Sequence, residues 1–154
     1  MLPPPPPPAV ETTSESVPES VRRYVADQPG QLTLGWTTVF WLGWLLVAAS
    51  FGAVWYSSYL TGFATWWLGP ESEPRYAFML IPFLIPLALA VMALRGARRL
   101  PWFGIGGAVL LAGVAAGDLG ATTSYSLVEF AIATGGLLIS VASFAGMLRA
   151  PTAA

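Results

Sequence analysis

A long uncharged stretch in the first half of the chain constrains its fold more than any other feature. No charged side chain occurs between Gln28 and Pro70, and residues 36–59 within that stretch are almost continuously apolar. A helix of this length measures about 36 Å, more than the roughly 30 Å thickness of a bilayer's hydrocarbon core. The stretch therefore predicts a helix that crosses a membrane, and every other polar residue has to be interpreted in that solvent.

The composition agrees with a small membrane domain. Of the 154 residues, 55% are hydrophobic and 10% are charged, whereas about a quarter of the residues in a soluble domain are charged. The net charge of −1 provides no basic surface for nucleic acid. The chain has neither Cys nor His, which excludes a disulfide framework, a thiol nucleophile and a Cys/His zinc site. We expect the lipid bilayer as its environment, no cofactor, no metal and no nucleic-acid partner.

Residues 1–30 differ in composition from the rest and predict a Pro-rich cytoplasmic tail that is mostly disordered. Pro3 to Pro8 are consecutive and favour an extended polyproline II segment, either a ligand for an aromatic groove or a low-complexity tail. We prefer the second interpretation because no flanking basic residue completes a ligand motif. A short amphipathic helix over residues 17–27 follows, since its apolar residues recur at helical spacing.

Four apolar segments predict the fold class, an all-α integral membrane protein with a four-transmembrane-helix bundle in residues 31–150. The predicted spans are residues 36–59, 76–94, 101–117 and 125–148. The third is short and rich in small residues, so a re-entrant segment is its alternative.

The arginines indicate how these spans are oriented. With four crossings, six of them lie on one side and only Arg75 lies on the other: Arg22, Arg23, Arg95, Arg98, Arg99 and Arg149. The positive-inside rule makes the first side cytoplasmic. We therefore expect a multi-pass protein of the plasma or inner membrane with both termini cytoplasmic. The use of Arg for every basic residue, with abundant Ala, Gly and Pro, favours a bacterial source. Trp66 and Trp67 follow the first span and predict a position in the outer headgroup layer.

Small residues at four-residue spacing predict where the helices pack. Hydrophobicity does not drive the association of helices in lipid, so helices associate there through close approach of their backbones. The third span carries the predicted helix-packing seam: Gly104, Ala108, Ala112 and Ala116, with Gly113 and Gly117 beside them. The same pattern fits packing within one bundle, a homo-oligomer interface or a face for a membrane-protein partner. We favour packing within the bundle.

Two prolines, Pro82 and Pro86, lie four residues apart in the second predicted span. Each removes a backbone donor and disturbs the preceding turn, so the spacing predicts a kink. A static bend is the simpler interpretation, and a hinge or an opened backbone that binds a ligand is the alternative.

Glu129 is the only ionisable acid or base inside a predicted span, about one turn from its outer end. We expect it to pair with Arg75, for which Asp118 competes. A structural ion pair between helices is the preferred interpretation, and a proton or cation site is the alternative. Ser126 and Glu129 also have the spacing of a capping box, which predicts that Ser126 caps the fourth span.

These features lead to three functional hypotheses. The first is a non-catalytic membrane protein that serves as an accessory or assembly subunit of a membrane complex. The second is a small proton- or cation-coupled transporter or channel that uses Glu129. The third and least favoured is a lipid-acting enzyme, because the chain offers acids but no recognisable nucleophile with a base; we expect no enzymatic activity.

Overall fold

The computed structural model describes residues 29–63, 65–69, 78–120 and 123–148. Four α-helices make up most of this part of the chain: α1 (Leu34–Thr61), α2 (Ile81–Leu94), α3 (Leu100–Ala116) and α4 (Thr123–Ala142). A 3-10 helix, Ser143–Gly146, continues α4. The described residues contain no strand beyond one isolated antiparallel bridge, so the predicted all-helical fold is confirmed. The predicted tail helix over residues 17–27 and the proline run lie outside the described residues.

Three of the four helices begin and end within two residues of the predicted bounds, if the 3-10 helix is counted with α4. The exception is α2, which begins at Ile81 rather than at residue 76. Pro82 is then in the first helical turn, where the missing amide would have had no partner. Within α2 only Pro86 therefore disturbs the helix interior, and both proline side chains are fully buried.

The four helices form a closed bundle in which each helix packs against two neighbours. α1 lies against α2 and α4, and α3 also lies against α2 and α4, with the most extensive contact between α3 and α4. Fully buried rings of α1, those of Phe40, Trp44 and Phe51, fill the centre together with Leu111 of α3. The core is thus built from large side chains of the longest helix.

One end of the bundle, here called the arginine end, joins the chain segments before α1, between α2 and α3, and after α4. The amide of Gly30 donates to the carbonyl oxygen of Leu148 at 3.0 Å, and the amide of Leu148 donates to that of Gln31 at 2.8 Å. The amide of Arg99 donates to the carbonyl oxygen of Gly30 at 2.8 Å, with Arg99 in the left-handed region at φ +57°. These bonds form a clasp that holds three separate segments together, and Arg95, Arg98 and Arg99 lie at this end.

The outer surface of the helices is largely apolar. Two helical segments are long and apolar enough to cross a membrane: Leu34–Thr61, with 28 residues, and Thr123–Gly146, with 24. Only 33% and 28% of their most apolar windows are buried, whereas the core helix of a soluble protein is mostly buried. α2 and α3 are shorter, with 14 and 17 residues. Large apolar side chains with more than 60% exposure occur on every helix, among them Leu46, Leu94, Leu110 and Leu138.

Candidate functional site

A tight turn, Thr65–Gly69, is inserted into the end of the bundle opposite the arginine end. The amides of Leu68 and Gly69 both donate to the carbonyl oxygen of Thr65, at 3.2 and 3.0 Å. Gly69 adopts φ +74°, which glycine accommodates without strain. The turn presents Trp66 and Trp67 side by side to the helices around it.

Trp67 fills the space between α1 and α2. It is fully buried, and its ring makes edge contacts with Phe51 of α1 and Phe83 of α2, at centroid distances of 6.4 and 6.2 Å. The sequence-based expectation of a headgroup position is therefore wrong for Trp67. The reason is that its indole N–H finds a buried acceptor, so the ring can leave the surface without an unsatisfied donor.

That acceptor is Glu129 of α4. The indole Nε1 of Trp67 donates to Glu129 Oε1 at 2.8 Å, and Glu129 is fully buried. The predicted partner, Arg75, lies outside the described residues, so the predicted ion pair stays a prediction. In the described part of the chain, the partner of Glu129 is a neutral indole.

The second acid, Asp118, lies in the turn after α3 and binds the neighbouring tryptophan. The backbone amide of Trp66 donates to Asp118 Oδ1 at 2.8 Å, while the indole Nε1 of Trp66 donates to the carbonyl oxygen of Val114 at 2.7 Å. Asp118 is also fully buried. Burial raises the pKa of the Asp118 carboxyl above its ordinary value, against the lowering effect of the Trp66 amide. The two acids therefore hold adjacent residues of one turn.

The carboxyl groups of Asp118 and Glu129 lie close enough to interact directly. We call this region, with the Thr65–Gly69 turn, the carboxylate end. Two carboxylate oxygens, Asp118 Oδ2 and Glu129 Oε2, have no hydrogen-bond partner among the described residues. The hydroxyl of Thr65, which is 1% exposed, also has none there. Buried polar groups are nearly always paired, so three such atoms at one end of a small bundle require an explanation.

Ser126 does not cap α4. The helix begins at Thr123, so Ser126 lies inside its first turns, and its hydroxyl donates across to the carbonyl oxygen of Ala115 in α3 at 2.8 Å. The capping-box interpretation is wrong because α4 begins three residues before Ser126, whose hydroxyl bonds to the end of α3. Tyr125, also in α4, bonds to α1 rather than to α3. Its hydroxyl lies 2.8 Å from Thr61 Oγ1 and 3.2 Å from Ser57 Oγ.

The predicted helix-packing seam is divided between two faces of α3. A Cβ at Gly104 would lie 2.2 Å from Ser140 Oγ in α4, and Ala108 is 3% exposed, so these positions pack inside the bundle. Ala112 is half-buried and Ala116 is exposed. A Cβ at Gly117 would lie 2.3 Å from the Trp66 indole nitrogen, whereas one at Gly113 would meet no atom within 4 Å among the described residues. The part of the seam near Gly113 therefore faces outward.

Comparison of the chain with protein-family models, with curated proteins and with solved structures gave no match.

The described side chains of the carboxylate end can form hydrogen bonds and bind protons. Within the described ranges, no group of three or more His, Cys, Asp or Glu side chains could hold a metal ion. The hydroxyl of Ser126 is already donated to a backbone carbonyl, so it is not poised as a nucleophile. The Thr65–Gly69 turn and the acids it binds were not recognised as one unit from the sequence, because their contacts join residues about 50–60 positions apart.

Proposed function

We propose that this protein is a non-catalytic integral membrane protein that crosses the bilayer four times and serves as a subunit or assembly factor of a membrane complex. The observation that carries the proposal is the outward position of two glycines of α3, Gly106 and Gly113, beside a shallow apolar groove between α3 and α4. The bundle then lies in a membrane, and this face of α3 binds a partner helix.

The distribution of charge and apolar surface supports the membrane location. In the described part of the chain, the three arginines lie at one end of the bundle and the two acids are buried at the other, with exposed apolar side chains between them. α2 and α3 measure about 21 and 26 Å at 1.5 Å per residue, shorter than the roughly 30 Å hydrocarbon thickness, and four crossings then require the bilayer to thin locally around them. The arginine end is then the cytoplasmic end, and both termini leave from it.

The outward face of α3 supports a protein partner. Gly106 and Gly113 lie two turns apart, and a Cβ at either would meet no atom within 4 Å among the described residues. The adjoining groove has a volume of about 100 Å³. Its lining is apolar except for Thr134: Ala108, Val109, Ala112, Phe130, Ala133, Thr134 and Leu137. Small residues of this kind allow close backbone approach, which is how helices associate in lipid.

A matched pair of variants tests this proposal. Gly113→Leu places a bulky side chain on the outward face of α3, and Gly52→Leu does the same on α1, where a Cβ also meets no atom within 4 Å. Each tagged protein is purified in mild detergent from its native host, and the stoichiometry of co-purifying membrane proteins is measured. We expect a stoichiometric partner with the unmodified protein and with Gly52→Leu, and at least a tenfold loss of it with Gly113→Leu.

The result against the proposal is equally specific. A solitary, monodisperse protein, or a partner retained equally by both variants, would show that the α3 face is not a subunit interface. The thermal midpoint of each variant in detergent serves as the folding control, because both positions are open and neither variant is expected to unfold the bundle.

A second candidate function, a small proton- or cation-coupled transporter, is favoured by the complete burial of Glu129. Acids within membrane-spanning helices often carry protons or ions. In that case Glu129→Gln abolishes flux in liposomes while the protein still folds, and normal flux removes Glu129 from the mechanism. A lipid-acting enzyme receives less support: Asp118 and Glu129 do meet, but neither is exposed to a substrate.

A further inference from the structure

The carboxylate end contains two fully buried acids with only neutral hydrogen-bond partners among the described residues. Asp118 Oδ1 and Glu129 Oε1 each accept one N–H from the Thr65–Gly69 turn, at 2.8 Å in both cases. The other oxygen of each group has no partner there, and neither side chain is exposed. Two ionised carboxylates in this position would combine a large desolvation cost with like-charge repulsion.

One proton would remove both costs. A protonated carboxyl is a hydrogen-bond donor as well as an acceptor, and a bond from it to an ionised carboxylate is among the strong, charge-assisted hydrogen bonds. The oxygens without partners are one from each acid, as such a bond requires. Sharing a proton is a general solution for adjacent carboxylates that cannot both ionise.

We propose that Asp118 Oδ2 and Glu129 Oε2 bind one proton between them, and that this proton holds the Thr65–Gly69 turn in the end of the bundle. Each acid positions one tryptophan of the turn, so a repulsion that separates the acids also separates their N–H partners. The bound proton therefore stabilises the folded structure at the carboxylate end. This inference stands independently of the proposed subunit role.

Few other ionisable groups face the pair. Along α4, Tyr125 lies one turn from Glu129, and its hydroxyl is bonded to α1. The surrounding segments, α2 and residues 65–69, contain no ionisable side chain, and the tyrosines of α1, Tyr56 and Tyr59, are exposed. The described arginines lie at the opposite end. Glu71, Glu73 and Arg75 fall outside the described residues.

The direction of the pH dependence follows from burial. The pKa of Asp118 is raised in the folded protein, so the folded state binds more protons than the unfolded chain over the range between the two pKa values. Stability is then fully present at acid pH and is lost as pH rises through the raised pKa. Loss of the shared proton leaves two buried charges and releases the turn, which exposes Trp67.

The test measures the thermal midpoint and the infrared carbonyl band of a protonated carboxyl between about pH 5 and about pH 9. We expect the midpoint of the unmodified protein to fall by about 5 °C or more as pH rises, together with loss of the band. Asp118→Asn and Glu129→Gln each supply a permanent N–H donor to the remaining acid. Each is expected to reduce the pH-dependent fall at least twofold, and the double variant is expected to lack the band. Arg95→Gln, an exposed position at the opposite, arginine end, serves as the control and should retain the unmodified profile.

Several outcomes would overturn the proposal. These are a midpoint of the unmodified protein that does not change with pH, a band that is missing at acid pH, or amide variants with the unmodified pH profile. If an amide variant does not fold, the band and the midpoint of the unmodified protein decide the question by themselves. Neither readout depends on a partner, so failure here leaves the subunit proposal to its own test.

Discussion

Replacing Trp67 with alanine is expected to lower the free energy of unfolding by about 3–5 kcal/mol, the usual cost of truncating a large buried side chain. Trp67 has no exposed surface and contacts Phe51 and Phe83 from two helices. The truncation also leaves the Glu129 carboxyl without its indole donor. The measurement is reversible unfolding in mild detergent micelles, followed by circular dichroism.

Two further variants separate the parts of this effect. Trp67→Phe keeps most of the ring but removes the N–H, so it should cost about 1–3 kcal/mol, the penalty for a buried acceptor that loses its partner. Trp102→Ala is the matched control, because Trp102 is 61% exposed and its aromatic contact with Phe144 contributes about 1 kcal/mol. Equal losses for Trp67→Ala and Trp102→Ala would contradict a buried role for the Thr65–Gly69 turn.

Gly104→Leu is expected to be the most disruptive change on α3, costing about 3 kcal/mol or more, at the upper end for overpacking a core. Even a Cβ at this position would lie 2.2 Å from Ser140 Oγ and 3.0 Å from the ring of Phe40. Ser140 cannot move aside freely, since its hydroxyl donates to the carbonyl oxygen of Gly136 at 2.8 Å. Phe40 is fully buried.

The control lies only two residues away. A Cβ at Gly106 meets no atom within 4 Å among the described residues, so Gly106→Leu should change the free energy of unfolding by less than about 1 kcal/mol. Thermal unfolding of the two variants, side by side in the same detergent, is the comparison. If both are tolerated equally, α3 does not pack against α4 through Gly104.

The sequence was sufficient for the helices but not for the contacts at the carboxylate end. The length of an apolar segment indicates where a membrane helix begins and ends. The predicted bounds of α1 and α4 therefore lie close to the observed ones. α2 was placed too early because hydropathy does not register that a proline prefers the first turn. Placing Pro82 in the first helical turn moves the predicted start of α2 to the observed position.

The partners of Glu129 and Ser126 could not be found in the same way. Charge suggested Arg75 for Glu129, and spacing suggested a cap for Ser126. In the described part of the chain, Glu129 accepts from a neutral indole, while Arg75 lies outside the described residues, and Ser126 donates to a carbonyl of α3. Both partners are brought near by the fold rather than by sequence spacing. Trp67 showed no signal of burial, because a tryptophan beside an apolar segment is equally typical of a membrane interface.

The clasp at the arginine end determines when folding can finish. Gly30 and Gln31, which precede α1, are bonded to Leu148, which follows the last helix. During synthesis α1 emerges first, and the segment before it can bond to Arg99 once the turn between α2 and α3 has been made, but its bonds to Leu148 form only after the last helix is complete. The segments before α1 and after the last helix therefore close the bundle by bonding to each other. A chain that stops before residue 148 lacks the bonds between Leu148 and the segment before α1.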